Sequence, residues 1–157
     1  NSEETFKVIE ANSDKANLSL VNGNVYFQIA RKGLFTIQNG EPRLISSDLL
    51  FSEHPIIGIY GIDTDLLVIT EGSQFYRYES ETITPWNTVM DSINLKLYSS
   101  IQLTDGSFVL GSISNGFYHL SPDGQTIIQN IDQEKGLNNN NQKKIYAIHH
   151  KHKNNLL

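Results

Sequence analysis

The sequence predicts an all-β chain built from one repeated four-stranded antiparallel unit, and three observations predict it. The first is a pair of anchors that recur together. Gly33, Gln74 and Gly116 are 41 and 42 residues apart, and Gly23, Asp65 and Gly106 are 42 and 41 apart. The second is the stretch between the anchors, apolar each time: Val25-Tyr26-Phe27, Leu67-Val68-Ile69 and Phe108-Val109-Leu110. The third is a later turn in every unit, at Asn39-Gly40, Ser80-Glu81 and Asp123-Gly124. Asn-Gly and Asp-Gly favour tight hairpins because their backbones accept positive φ.

Three tight turns per unit make four short strands. In the third unit they are expected over Leu97 to Leu103, Ser107 to Ile113, Phe117 to Leu120 and Gln125 to Asn130. A connector, such as Ile131 to Lys144, leads onward. Four meandering strands every 40 to 50 residues are the mark of a β-propeller blade. The units are placed at roughly 15–46, 57–86 and 97–130, with the start of a fourth at 145–157 around Ile145-Tyr146-Ala147-Ile148. A blade buries both faces against its neighbours, so the second strand of each unit is expected to be nearly fully covered. A β-sandwich also has short strands between turns, but does not hold register over three units. An amphipathic helix would fit best at Leu49 to Ile57, where His54-Pro55 interrupts it. A closed ring needs roughly four to eight blades. The chain, an incomplete ring of about three and a half blades on this period, is therefore expected to be a segment of a longer one.

Composition narrows the function. The net charge is -5, and the 12 Lys and Arg form no stripe, which argues against nucleic acid as partner. The chain has no cysteine, so disulfides and thiolate metal sites are excluded. No apolar run approaches the roughly 18 residues of a membrane span.

The third unit resembles the two-component regulator propeller repeat. Gly106-Ser107-Phe108-Val109-Leu110-Gly111-Ser112 lies over that repeat's G-x-L-W-x-G-T segment, and Asn115-Gly116-Phe117 over its closing turn. Val109 stands for the tryptophan and Ser112 for the threonine. Further on, Gly136-Leu137 with Asn138 to Asn141 is similar to the G-L-x-x-N opening, and Ile145 and Ile148 to V-x-x-I. Lys151 and Asn154 depart from its Asp and Gly, and the second unit matches poorly. The resemblance implies an extracytoplasmic or periplasmic, non-catalytic sensor region of a bacterial signal-transduction regulator. It also implies a small polar or oligosaccharide ligand, and packing against further blades or another protomer.

The chemistry-bearing residues are scattered. His149, His150 and His152 cluster at a strand end, but no neighbouring carboxylate completes a metal site. Asp63 and Asp65 bracket one turn, and Glu79 and Glu81 bracket another that lies away from the axis and is read as solvated rim. The connectors offer only Asp48, Glu53, His54 and Asp91. No nucleophile elbow, phosphate loop or His-Glu-x-x-His helix is present. No catalytic residue, metal ligand or cofactor is therefore assigned. Trp86 is read as a packing residue.

Polar recognition is expected at one mouth of the ring, from Ser52-Glu53-His54, Asn87-Thr88, Asn138 to Asn141, Arg31-Lys32 and Ser114-Asn115, with Phe51 and Trp86 nearby. The alternatives are a protein-interaction scaffold of the WD-repeat or kelch kind and a propeller lyase or glycosidase. A downstream membrane helix with a kinase or helix-turn-helix region would separate sensor from scaffold.

Overall fold

A computed structural model describes residues 8–10, 17–93 and 95–132. The expected fourth unit at 145–157, the Asn138 to Asn141 run and the His149-His150-His152 cluster lie outside the described residues. The chain divides into two compact units, Asn1–Pro55 and Ile56–Leu157.

The first unit holds one sheet of four strands in sequential order, β1 (Leu18–Val21), β2 (Asn24–Ile29), β3 (Gly33–Gln38) and β4 (Glu41–Ser46). All neighbours are antiparallel. Asn22-Gly23 (φ 49 and 79) and Asn39-Gly40 (φ 51 and 76) are left-handed at both positions, the geometry that matches strand twist in two-residue hairpins. A short helix, α1 (Leu49–Glu53), follows. Asp48 caps it by accepting from the Leu50 N–H at 2.9 Å, and it ends at His54 before Pro55. The helix is thus real but short, and it buries Phe51 completely.

The second unit holds two further meanders. One is β5 (Ile56–Ile62), β6 (Asp65–Thr70), β7 (Phe75–Glu79) and β8 (Thr82–Pro85). The other is β9 (Leu97–Gln102), β10 (Phe108–Ser112), β11 (Phe117–Leu120) and β12 (Ile127–Ile131). A short 3-10 helix, Val89–Ser92, links them, with Thr88 and Asp91 forming a reciprocal capping box. The two sheets share one core in which Leu67, Ile69 and Phe75 meet Phe108, Leu110 and Leu120. Trp86 packs as a spacer, its ring 5.8 Å from Phe75 and 6.0 Å from Phe108. Phe108 also meets Tyr60 edge-on at 5.7 Å, and the Tyr60 hydroxyl lies 2.8 Å from Ser100 Oγ. The first strands of the two sheets are therefore neighbours.

Burial of the second strands differs from the expectation in one sheet. Every residue of β6 and β10 is buried. In β2 only Phe27 and Ile29 are, while Val25 and Tyr26 are partly exposed. The apolar triplet in β2 was the basis for expecting full cover. Apolar character fixes what a strand tolerates, and a covering layer on both faces is what removes water.

One substitution within the repeat is also explained. A Cβ on Gly33 would lie 2.0 Å from the Ser46 carbonyl oxygen, and one on Gly116 the same 2.0 Å from that of Ile131. Both have positive φ. Gln74 occupies the corresponding place in the second sheet because the left-handed residue there is Ser73 (φ 64), one step earlier.

Candidate functional site

In the first unit, α1 is pinned to the turn between β2 and β3. The Arg31 N–H donates to the Ser52 carbonyl at 2.8 Å, and Gln28 Nε2 donates to the carbonyls of Phe51 and His54, both at 2.8 Å. Arg31, Lys32, Glu53 and His54 are consequently gathered at one end of the sheet, all exposed. Ser52 itself is buried and its backbone serves the fold. Of the residues expected on the rim, these four stand together at one end of the first sheet.

The second unit assembles its corresponding end from residues that sequence reading mostly missed. The Leu97 N–H donates to the Glu71 carbonyl at 2.8 Å, and Ser73 Oγ donates to the Leu95 carbonyl at 2.6 Å. Lys96 Nζ lies 3.5 Å from Glu71, and the Lys96 carbonyl accepts from the Ile113 N–H at 3.0 Å. Ser112 Oγ shapes the adjacent turn, accepting from the Asn115 N–H at 2.7 Å and donating to the Gly116 carbonyl at 3.0 Å. Glu71 and Lys96 thus join Ser114 and Asn115. Asn87 and Thr88, also expected here, are elsewhere. Asn87 accepts from Gln125 Nε2 at 2.7 Å, and the Val89 N–H donates to the Gly124 carbonyl at 2.9 Å. The connector turns back along the core to bury Met90, which carries Asn87 to the Asp123-Gly124 turn. Asp91 is engaged too, accepting from the Thr88 N–H at 2.7 Å.

A polar latch recurs where the turn between first and second strands meets the third strand. In the second sheet Arg77 Nε donates to Asp65 at 2.7 Å, and Arg77 lies 3.9 Å from Asp63. The Asp65 carboxylate is almost fully buried, so the guanidinium supplies what water cannot. The Asp65 hydrogen bond also holds the Arg77 pKa above its usual value. In the third sheet the same positions are Asp105, Ser107 and His119. Ser107 Oγ donates to Asp105 at 2.5 Å, and His119 Nε2 lies 2.9 Å from Ser107 Oγ. The Ser107 hydroxyl holds Asp105 below the usual carboxylate range, helped by the Ser107 N–H and the charge of His119. Asp63 stands exposed on this turn, whereas Asp65 is the buried member of the latch.

The Asp-Ser-His composition invites a catalytic reading, and the hydrogen bonds oppose it. A nucleophilic serine passes its proton to histidine, and the carboxylate orients that histidine. Here the serine proton is already committed to Asp105, so His119 Nε2 must be the donor toward Ser107. Ser107 is 1% exposed, leaving no path for a substrate. The arrangement ties a turn to a strand. The signal legible in the sequence is spacing: Asp65 to Arg77 and Ser107 to His119 are both 12 residues apart.

Among the described residues no group of three His, Cys, Asp or Glu could hold a metal ion. No helix among them is long and apolar enough to cross a membrane. No protein-family model matches the chain, and no curated protein matches it.

Proposed function

We propose that this chain is a run of β-propeller blades that recognises a polar ligand or partner without carrying out chemistry. In this reading it belongs to the extracytoplasmic sensor region of a bacterial signalling regulator. The observation that carries it is the pairing of two four-stranded meanders in the second unit, face to face with β5 beside β9, at the spacing of the sequence repeat. Such packing makes a rigid scaffold with its functional variety in the loops. Two features support polar recognition: the exposed Arg31, Lys32, Glu53 and His54 at the end of the first sheet, and Glu71, Lys96, Ser114 and Asn115 at one end of the second unit. Charged and amide groups on loops braced by backbone hydrogen bonds suit hydroxyl-rich or zwitterionic ligands. The resemblance of the third unit to the two-component regulator repeat supports the sensor assignment.

Calorimetric titration with neutral and acidic oligosaccharides tests this. Saturable heat that is lost in Arg31→Ala or Lys96→Ala is expected. Turnover of any of these compounds by the purified chain would overturn the non-catalytic reading.

A further inference from the structure

We propose that Asn22 is a site of spontaneous covalent modification, losing its side-chain amide to become an aspartyl or isoaspartyl residue, with Asn24 assisting the reaction. Asparagine before glycine is chemically labile, because glycine has no side chain to shield its amide nitrogen. The chain has three such pairs, Asn22-Gly23, Asn39-Gly40 and Asn115-Gly116. The fold separates them. Asn115-Gly116 is clamped: the Asn115 N–H donates to Ser112 Oγ at 2.7 Å, Asn115 Oδ1 accepts from Ser114 Oγ at 2.8 Å, and the Gly116 carbonyl accepts from the Ser112 N–H at 2.8 Å. Gly116 is also buried, with the Ile131 carbonyl where a Cβ would stand. Attack on the asparagine side chain has to swing the glycine peptide plane, and this clamp opposes the swing.

Asn22-Gly23 and Asn39-Gly40 are both exposed hairpin tips, and nothing lies within 4 Å of a Cβ built on either glycine. What sets them apart is the residue after the glycine. Asn24 Nδ2 donates to the Asn22 carbonyl at 3.4 Å. That carbonyl belongs to the same peptide as the Gly23 nitrogen, so the donor sits where negative charge develops as the nitrogen gives up its proton. Glu41 holds the corresponding place after Gly40, and an ionised carboxylate can only accept.

The reaction consumes one water and releases one ammonia. The Gly23 nitrogen loses its proton to solvent hydroxide and attacks Cγ of Asn22, closing a five-membered imide ring. The Cγ–Nδ2 bond breaks, and Nδ2 leaves as ammonia with a proton taken from water. Water then opens the ring. Breaking the bond between the Gly23 nitrogen and Cγ leaves aspartate, and breaking its bond to the Asn22 backbone carbonyl carbon leaves isoaspartate. The acid formed ionises at neutral pH, its proton going to the ammonia. The isoaspartyl link routes the main chain through Cβ and lengthens a two-residue turn that closes on the Val21–Asn24 pair. Among the described residues β1 is paired with β2 alone, so the change loosens β1 and adds a negative charge beside it.

Ageing the purified, folded chain in mildly alkaline buffer and mapping its peptides by mass spectrometry tests the assignment. Asn22 is expected to gain one mass unit severalfold faster than Asn39, with Asn115 unchanged over the same time. In urea the three rates are expected to converge, because the clamp and the Asn24 donor are lost with the fold. Asn24→Ala, a change at an exposed position, is expected to slow Asn22 to the rate of Asn39. The ranking within the wild type decides the matter even if that variant does not fold. No mass gain at Asn22, an Asn115 rate equal to that of Asn22 in the folded chain, or an Asn22 rate untouched in folded Asn24→Ala overturns the proposal.

Discussion

The first sheet and the third are built on the same register, yet they use their second strands differently. In β10 both faces are buried, one against a neighbouring sheet. In β2 only Phe27 and Ile29 are buried, and the strand lies beside leucines that stand largely in water. Both strands lie inside a four-stranded sheet between two antiparallel neighbours, and what separates them is composition and cover. A repeat sequence encodes a surface that is ready to be covered, and the stabilisation arrives only with the covering layer. Burial stabilises by roughly 25 cal/mol for each Å² of apolar surface removed from water. The same kind of side chain should therefore weigh heavily in one sheet and little in the other.

The largest expected effect breaks the comparison at its centre. Phe108→Ala should cost about 3–5 kcal/mol in urea denaturation, because the ring is fully buried among Tyr60, Phe75 and Trp86. A cost no larger than that of Leu20→Ala would erase the distinction between the two sheets.

Next come the glycines, where the first and third sheets should behave alike. Gly116→Val and Gly33→Val each force a side chain against a backbone carbonyl at positive φ, and should cost about 2–4 kcal/mol. Gly40→Ala meets nothing within 4 Å and should cost only about 1 kcal/mol of backbone strain. Equal midpoints for Gly40→Ala and Gly116→Val would remove the steric argument.

The alkaline limb of the stability curve belongs to the sheet interface. Burial pushes the Tyr60 hydroxyl up to about 12, partly offset by its hydrogen bond to Ser100. Its folded pKa lies above its unfolded value of 10.0, so its contribution is fully present below that pH and is lost as pH rises toward 12. The loss should reach about 3 kcal/mol at most. Tyr60→Phe should flatten this limb, and a wild type and variant with parallel curves would show that the hydroxyl is not buried there.

The latches sharpen the comparison further. Arg77→Met leaves the Asp65 carboxylate buried without its cation and should lower the urea midpoint. The corresponding change at His119 should cost less, about 1 kcal/mol, because its partner is a neutral hydroxyl that keeps Asp105. Asp105 is depressed, so its support is present above the ordinary value of 3.8 and fades as acid takes the pH through the lower folded value. Leu20→Ala closes the series, with a change within about 0.5 kcal/mol.

Much of this architecture was legible in the sequence, and for definite reasons. Turn chemistry is local, so Asn22-Gly23, Asn39-Gly40 and Ser80-Glu81 announced their hairpins, and the apolar triplets marked β2, β6 and β10. The sites were less legible because they depend on backbone carbonyls and on the path of connectors. Nothing in the composition of Asn87-Thr88 says that it bonds Gln125 and leaves Lys96 to meet Ile113. The exposure of Leu18 and Leu20 was hidden for a similar reason, since hydrophobicity reports suitability for burial and not its occurrence. The latch spacing of 12 residues was visible, but the change from Asp-Arg to Ser-His disguised it until the register aligned the two pairs.

The central claim is that two blades meet face to face through Phe75 and Phe108, whose rings are 6.3 Å apart and nearly perpendicular. A double-mutant cycle with Phe75→Leu and Phe108→Leu, read by urea denaturation, addresses it directly. Leucine keeps most of the apolar volume while removing the edge-to-face contact. A coupling energy of about 0.5–1.5 kcal/mol is expected. Strict additivity of the two substitutions would contradict the packing of β5–β8 on β9–β12, and with it the blade reading.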